Sequence, residues 1–159
     1  MVIGLNESKI AVLLAAHNGV AWLKEQVDSI LNQHKVEVTL FVSVDRSSDG
    51  TEVWFDKLSK QDNRVVILPH GQSFGGAAPN FFRLIRDVDF DGFDYVSFAD
   101  QDDIWHLNKL KRATEQLVLN KADAYSSNVT AFWPSGKEQI VFKSQLQCKW
   151  DYLFEAAGL

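Results

Sequence analysis

Cysteine is almost missing from this 159-residue chain, where Cys148 stands alone. No intrachain disulfide can form, and a zinc site built from cysteines is excluded. A basic excess is missing too. The chain has 16 Lys and Arg against 21 Asp and Glu, a net charge of −5 and a sequence pI ≈ 5.3. Nucleic-acid binding needs a basic face to neutralise phosphates, so no nucleic-acid partner is expected. The longest apolar runs are strand-sized, so no transmembrane segment is expected. The N-terminus lacks the basic-then-apolar pattern of a signal peptide, and the expected compartment is the cytoplasm. Neither G-x-G-x-x-G after the first apolar run nor G-x-x-x-x-G-K-[ST] anywhere is present, which removes the dinucleotide fingerprint and the P-loop.

What is present is a globular composition, 46% hydrophobic and 23% charged, and a length that predicts one domain over residues 1–159. Short apolar runs alternate with amphipathic stretches. Lys9–Ala15, Glu37–Val44, Arg64–Leu68 and Tyr95–Ala99 read as strands, rich in β-branched and aromatic residues. Between them, Trp22–Gln33 carries Leu23, Val27, Ile30 and Leu31 at helical spacing. Glu52–Ser59 follows an Asp49-Gly50-Thr51 turn with capping chemistry, and Pro79 opens a helix running through Phe82, Ile85 and Val88. Leu107–Leu119 reads as a helix with Leu107, Leu110 and Leu117 inward, and Ala122–Thr130 and Gln139–Phe142 read as strands around a Pro134-Ser135-Gly136 turn. Trp22, Trp54, Trp133 and Trp150 read as core, and Cys148 as a minor packing residue. The alternation predicts an α/β fold: a mostly parallel sheet with helices on both faces, the first, second and fourth strands central. Ligands of such sheets sit beyond the carboxyl ends of the strands, where strand order reverses.

Four loops leave those ends. The fourth stands out. From Asp87 to Asp103 there are seven acids and no Lys or Arg, and Asp100, Asp102 and Asp103 come directly off a buried strand. Like charges packed together need a compensating cation or donors, and a hard cation such as Mg²⁺ takes one or two carboxylates plus phosphate and water oxygens. The alternative is a solvated acidic turn with Asp103 capping the next helix. In the second loop Asp45 offers a carboxylate to a base N–H or a ribose hydroxyl, whereas Asp49 reads as a cap. In the first, His17 offers a ring to a base or ribose. In the third, Gly75-Gly76 offers backbone N–H groups to a phosphate. Trp105 reads as a sugar-pocket wall or as core.

Together the loops resemble family-2 glycosyltransferases, and in particular the bacterial rhamnosyltransferase-type enzymes of cell-surface polysaccharide synthesis. The matching segments are Ala15-Ala16-His17-Asn18-Gly19, Ser29-Ile30-Leu31-Asn32-Gln33, Asp45 to Thr51, Asn80-Phe81, and Asp100 to Leu110, the last overlaying the family's D-x-D motif. The resemblance implies the GT-A fold, and transfer of a sugar from a dTDP- or UDP-linked donor to a glycan or lipid-linked acceptor, mostly with inversion. It implies that Ala15, His17, Asn18, Asp45, Gly75, Asn80, Asp100 and Gln101 line the nucleotide-sugar site, with Asp45 at the base and Asp100 at ribose or diphosphate. Asp102 and Asp103 would hold Mn²⁺ or Mg²⁺. The chain ends at Glu155-Ala156-Ala157-Gly158-Leu159, similar to the family's E-A-A-G-P-G segment. The resemblance therefore places the catalytic base and acceptor site beyond Leu159, in a longer enzyme peripheral to the inner membrane face. Other readings are a nucleotide-sugar-binding module without turnover and a metal-dependent nucleotidyltransferase.

Overall fold

The computed structural model describes residues 7–142. Cys148, Trp150 and the Glu155–Leu159 segment lie outside the described residues. The elements run β1 (Ser8–Ala16), α1 (Val20–Leu31), β2 (Val36–Val44), α2 (Thr51–Ser59), β3 (Val65–Ile67), α3 (Ala77–Asp87), β4 (Tyr95–Ala99), α4 (Lys109–Asn120), β5 (Val129–Phe132) and β6 (Glu138–Val141).

β1 is a continuous apolar run because both of its faces are covered, and Ile10 to Leu14 are at most 1% exposed. It pairs in parallel with β2, from Ser8 opposite Val36 to Ala16 opposite Val44, and on its other side with β4, from Ile10 opposite Tyr95 to Leu14 opposite Ala99. β3 adds in parallel to β2, giving the order β3-β2-β1-β4. On one face α1 contributes Leu23, Val27 and Ile30, α2 contributes Phe55 and α4 contributes Leu110 to a core with Ile10, Val12, Leu14, Leu40 and Val42. On the other face Leu84 of α3 and the following Val88 pack on Leu13, with Ala15, Phe41 and Phe81 around them. Helices therefore lie on both faces, as the alternating pattern predicts.

Several expectations are corrected. Among the described residues β4 is an edge strand, not a central one: β5 pairs antiparallel with β6 in a separate hairpin instead of joining it. Val96 and Phe98 of β4 are consequently 44% and 54% exposed. The stretch 122–128 is not strand; only its end joins β5. Trp22 is half exposed, because the buried stripe of α1 runs through Leu23, Gln26, Val27 and Ile30 and passes it by. Trp133 is also exposed, on the hairpin, with the Lys137 ammonium 5.0 Å from its ring centroid. Trp54 does pack on the core, edge-on to Phe55. Leu107 is exposed because α4 starts two residues later; its carbonyl accepts the His34 N–H at 2.9 Å.

Candidate functional site

Strand order reverses between β1 and β4, so the switch point lies between the first loop (His17 to Gly19) and the fourth (Asp100 to Asp103). The first loop is held from both sides. On the β2 side, the Asn18 N–H donates to Ser47 Oγ at 3.0 Å and Asn18 Oδ1 accepts the Ser48 N–H at 2.8 Å. Asp49 serves two helices. Its Oδ1 accepts the N–H and hydroxyl of Thr51 at the start of α2, and its Oδ2 accepts the N–H of Val20 at the start of α1. That is the capping role the Asp-Gly-Thr turn predicts, doubled. On the β4 side, the side chain of Gln101 meets the backbone of His17. The Asn18 side-chain amide nitrogen lies 3.0 Å from Nε2 of the His17 ring.

Asp45, directly after β2, is 4% exposed. Its Oδ1 accepts the N–H groups of Arg46 (2.8 Å) and Phe74 (2.9 Å), and its Oδ2 accepts the Gly75 N–H (3.3 Å). Burial pushes its pKa up, but the Phe74, Arg46 and Gly75 amides and the Ser73 hydroxyl outweigh it and hold the carboxyl below the usual range. These donors fill the acceptor positions of a carboxylate. The Gly75 N–H thus faces Asp45, and the carboxylate pins the third loop, which Gly75 turns with φ of 84°. Arg83 fastens the same loop from α3. Its guanidinium donates to Ser43 Oγ at 3.1 Å and to the Pro69 carbonyl, and lies 4.7 Å from the Phe74 ring centroid. Asn80, 2% exposed, sits beneath the strand ends: its amide donates to the carbonyls of Ser43 (3.0 Å) and Ala16 (3.5 Å), while its Oδ1 has no partner. Ala15 packs in the core beside Leu13 and Leu84.

The fourth loop has the opposite character. The seven acids from Asp87 to Asp103 divide between the two ends of β4. At the amino end Asp87 pairs with Arg83 and Arg86, and Asp94 accepts the Lys9 N–H. At the carboxyl end Asp100, Asp102 and Asp103 are exposed, and among the described residues their carboxylates accept no hydrogen bond and form no ion pair within 4.0 Å. Desolvation first, then the charges of Asp103 and Asp102, raise the Asp100 pKa against Lys109. Desolvation and Asp102 likewise raise Asp103, again opposed by Lys109. Lys109 itself is lowered by desolvation, against the attraction of Asp103 and Asp100. Its ammonium lies 3.8 Å from the centroid of Trp105, which is 4% exposed, so the core reading of Trp105 holds and its ring supports a cation over the acids. Asp103 does not cap α4, which begins at Lys109 behind Asn108.

The path of this loop is set by three polar side chains spaced i, i+3, i+7, Gln26 and Ser29 on α1 and Gln33 just past its end. Gln26 donates to the Asp100 carbonyl (2.7 Å), Ser29 Oγ accepts the Trp105 N–H (3.0 Å), and Gln33 donates to the His106 carbonyl (2.8 Å) and accepts the Leu110 N–H (3.0 Å). Ser29 and Gln33 are the polar members of the S-I-x-x-Q segment, which explains that segment's composition.

A parallel sheet with an acidic loop at its switch point describes many nucleotide-binding proteins; the sequence profile is narrower. Residues 11–145 match glycosyl transferase family 2. The chain belongs to that family. This family-2 chain is 46% identical over 146 residues to the dTDP-rhamnosyl transferase RfbG of Shigella flexneri, which covers 91% of this chain and 50% of that protein. It therefore spans about half the length of this curated relative. Among solved structures, it resembles residues 1–349 of S. aureus TarS in complex with UDP, with a TM-score of 0.55 and 25% identity over 71% of this chain and 33% of that one. It also resembles the mannosyltransferase PcManGT of Pyrobaculum calidifontis, in complex with GDP-Man and Mn²⁺, with a TM-score of 0.60 and 19% identity over 79% of this chain and 36% of that one. The fold is thus the mixed α/β, mostly parallel GT-A architecture that the motifs imply. No helix among the described residues is long and apolar enough to cross a membrane.

The structure brings His17, Asn18, Asp100, Gln101, Asp102 and Asp103 to one edge of the family-2 sheet. Ala15 and Asn80 lie below that edge in the packing, and Asp45 and Gly75 bond to each other. Sequence reasoning missed the roles of Arg83, Lys109, Gln26, Ser29 and Gln33. The one signal for Lys109 was its place in the D-Q-D-D-x-W-x-x-x-K-L segment.

Proposed function

We propose that this chain is the donor-binding part of a nucleotide-sugar-dependent glycosyltransferase, with the diphosphate of the donor seated at the acidic loop. The observation that carries the proposal is the contrast in hydrogen bonding along one sheet edge. Asp45 and Asp49 are filled by backbone and hydroxyl donors, whereas Asp100, Asp102 and Asp103 have only Lys109 against three negative charges. Asp100 and Asp103 have raised pKa values, and one or two carboxylates are enough for Mn²⁺ or Mg²⁺, which keep open positions for phosphate oxygens. Asp102 and Asp103 would hold the ion, and when bound it would supply Lewis-acid stabilisation of the departing diphosphate. Asp100 would lie at ribose or diphosphate, and His17 and Asn18 would border the nucleoside.

The 46% identity to a dTDP-rhamnosyl transferase supports a deoxythymidine-linked rhamnose donor, with a UDP-linked sugar as the runner-up. In the reaction the bond from the anomeric carbon to the diphosphate breaks, and a bond to an acceptor hydroxyl oxygen forms. The hydroxyl proton passes to a base, and the acceptor is a glycan or lipid-linked saccharide. The chain spans about half the length of that relative, and the base and acceptor site are proposed to lie in the half it does not cover.

Thermal-shift titration tests the donor site, because a ligand that binds only the folded chain raises its melting temperature. dTDP or UDP with Mn²⁺ should stabilise the chain more than the corresponding triphosphates do. Preference for triphosphates would favour a nucleotidyltransferase and defeat the proposal. For transfer, the full-length protein should move rhamnose from dTDP-rhamnose to a lipid-linked acceptor while residues 1–159 alone should not. Near-equal transfer by both would show that the base and acceptor site lie within this chain.

A further inference from the structure

Gln101 stands between acids in the fourth loop, yet its side chain turns to the first. Continuing the register of Leu14 opposite Ala99 sets Gln101 level with Ala16, one residue before His17. There the Gln101 Oε1 accepts the His17 N–H at 2.7 Å and the Nε2 donates to the His17 carbonyl at 3.0 Å. A primary carboxamide offers a donor and an acceptor side by side, so it can engage both the N–H and the C=O of one residue, and it ties His17 to the fourth loop just past the paired ends of β1 and β4. Gly19 closes the arrangement. A Cβ there would stand 2.5 Å from the Gln101 Oε1 and 2.8 Å from its Cδ, while the Gly19 φ of −110° suits any residue. The glycine is needed for the approach of Gln101, not for its backbone conformation.

We propose that Gln101 is a positioning residue that locks the first loop to the acidic loop. His17 engages one Oε1 lone pair and one Nε2 hydrogen, which together fix the orientation of the carboxamide. The clamp fixes His17 and Asn18 relative to Asp100, Asp102 and Asp103, and leaves the carboxylates to the ligand. Its consequence for ligand binding rests on the donor-site reading above.

Amide hydrogen exchange at His17, followed by NMR, tests the clamp without any ligand. The His17 N–H should be protected in the wild type and exchange about tenfold faster or more in both Gln101→Ala and Gly19→Ala. Gly19→Ala should lower the Tm in the wild-type background and leave it unchanged or raised in the Gln101→Ala background, where the obstructing atoms are gone. Equal exchange in all variants, or additive Tm losses, would overturn the proposal. Adding dTDP or UDP with Mn²⁺ should leave the wild-type His17 amide as protected as before, and Gln101→Ala should weaken that nucleotide about tenfold. Faster His17 exchange on nucleotide binding would mean that the clamp opens, which also overturns it. A wild-type chain that binds neither nucleotide refutes the donor-site reading, and the clamp is then judged on ligand-free exchange and the Tm cycle.

Discussion

Asp45 and Asp49 follow β2; Asp100 and Asp103 follow β4. All four acids leave carboxyl ends of the same parallel sheet, and their pKa values move in opposite directions. Burial raises all four. After β2 it is outweighed by donors: Phe74, Arg46 and Gly75 at Asp45, and the Thr51 hydroxyl with the Val20 and Thr51 amides at Asp49. After β4 no donors arrive, and each carboxylate feels its neighbours. The comparison separates two uses of one residue type: the β2 acids hold loops and helix starts in place, and the β4 acids retain open lone pairs.

The largest expected effect breaks the β4 half. Asp102→Asn should weaken Mn²⁺-dependent dTDP or UDP binding more than about 100-fold, measured by calorimetry, since a lost ligand should exceed the usual second-shell penalty. Because the change relieves repulsion on Asp100 and Asp103, the metal-free Tm should hold or rise. A wild-type nucleotide affinity in this variant would remove Asp102 from the site.

Asp45→Asn breaks the β2 half. It sets an amide against N–H groups that now meet a carboxylate, and should lower stability by about 1–3 kcal/mol in urea denaturation. An unchanged midpoint would show that the third loop is anchored elsewhere, through Arg83. Asp49→Ala removes a cap shared by α1 and α2 and should destabilise by about 1–2 kcal/mol.

The smallest effect is a difference in pH dependence. A carboxyl raised in the fold disfavours the folded state once ionised. Asp103→Asn should therefore be more stable than wild type at neutral pH, the gap closing as pH falls through the raised folded pKa of Asp103. A carboxyl lowered in the fold favours the folded state above its ordinary value. The deficit of Asp45→Asn should thus persist to lower pH and close only as Asp45 itself protonates. Mn²⁺ affinity should fall over the higher of these ranges, because protonated Asp103 is no ligand. Parallel pH profiles for the two variants would erase the distinction between the pairs.

Much of this arrangement is legible in the chain. Strands and helices come from apolar periodicity, because burial on one face or two imposes a repeat that local sequence cannot hide. The Asp49 cap is legible because capping acts over a few residues. Elements whose fate depends on a distant neighbour are not legible in this way. β4 has the composition of an interior strand, but its exposure is fixed by what lies beside it. Trp22 shares its hydrophobicity with Leu23, and only the direction of the α1 stripe tells them apart.

By itself, then, the sequence determined the family, the α/β layering and the loop that carries unpaired acids, since each depends on residues close together in the chain. Tertiary structure alone decided which polar groups at the sheet edge are already engaged. Asp45 meets Phe74 across 29 residues, Gln26 meets Asp100 across 74, and Gln101 meets His17 across 84. A carboxylate or amide is free or filled according to donors that only folding brings within 3 Å, and no spacing along the chain encodes that distance.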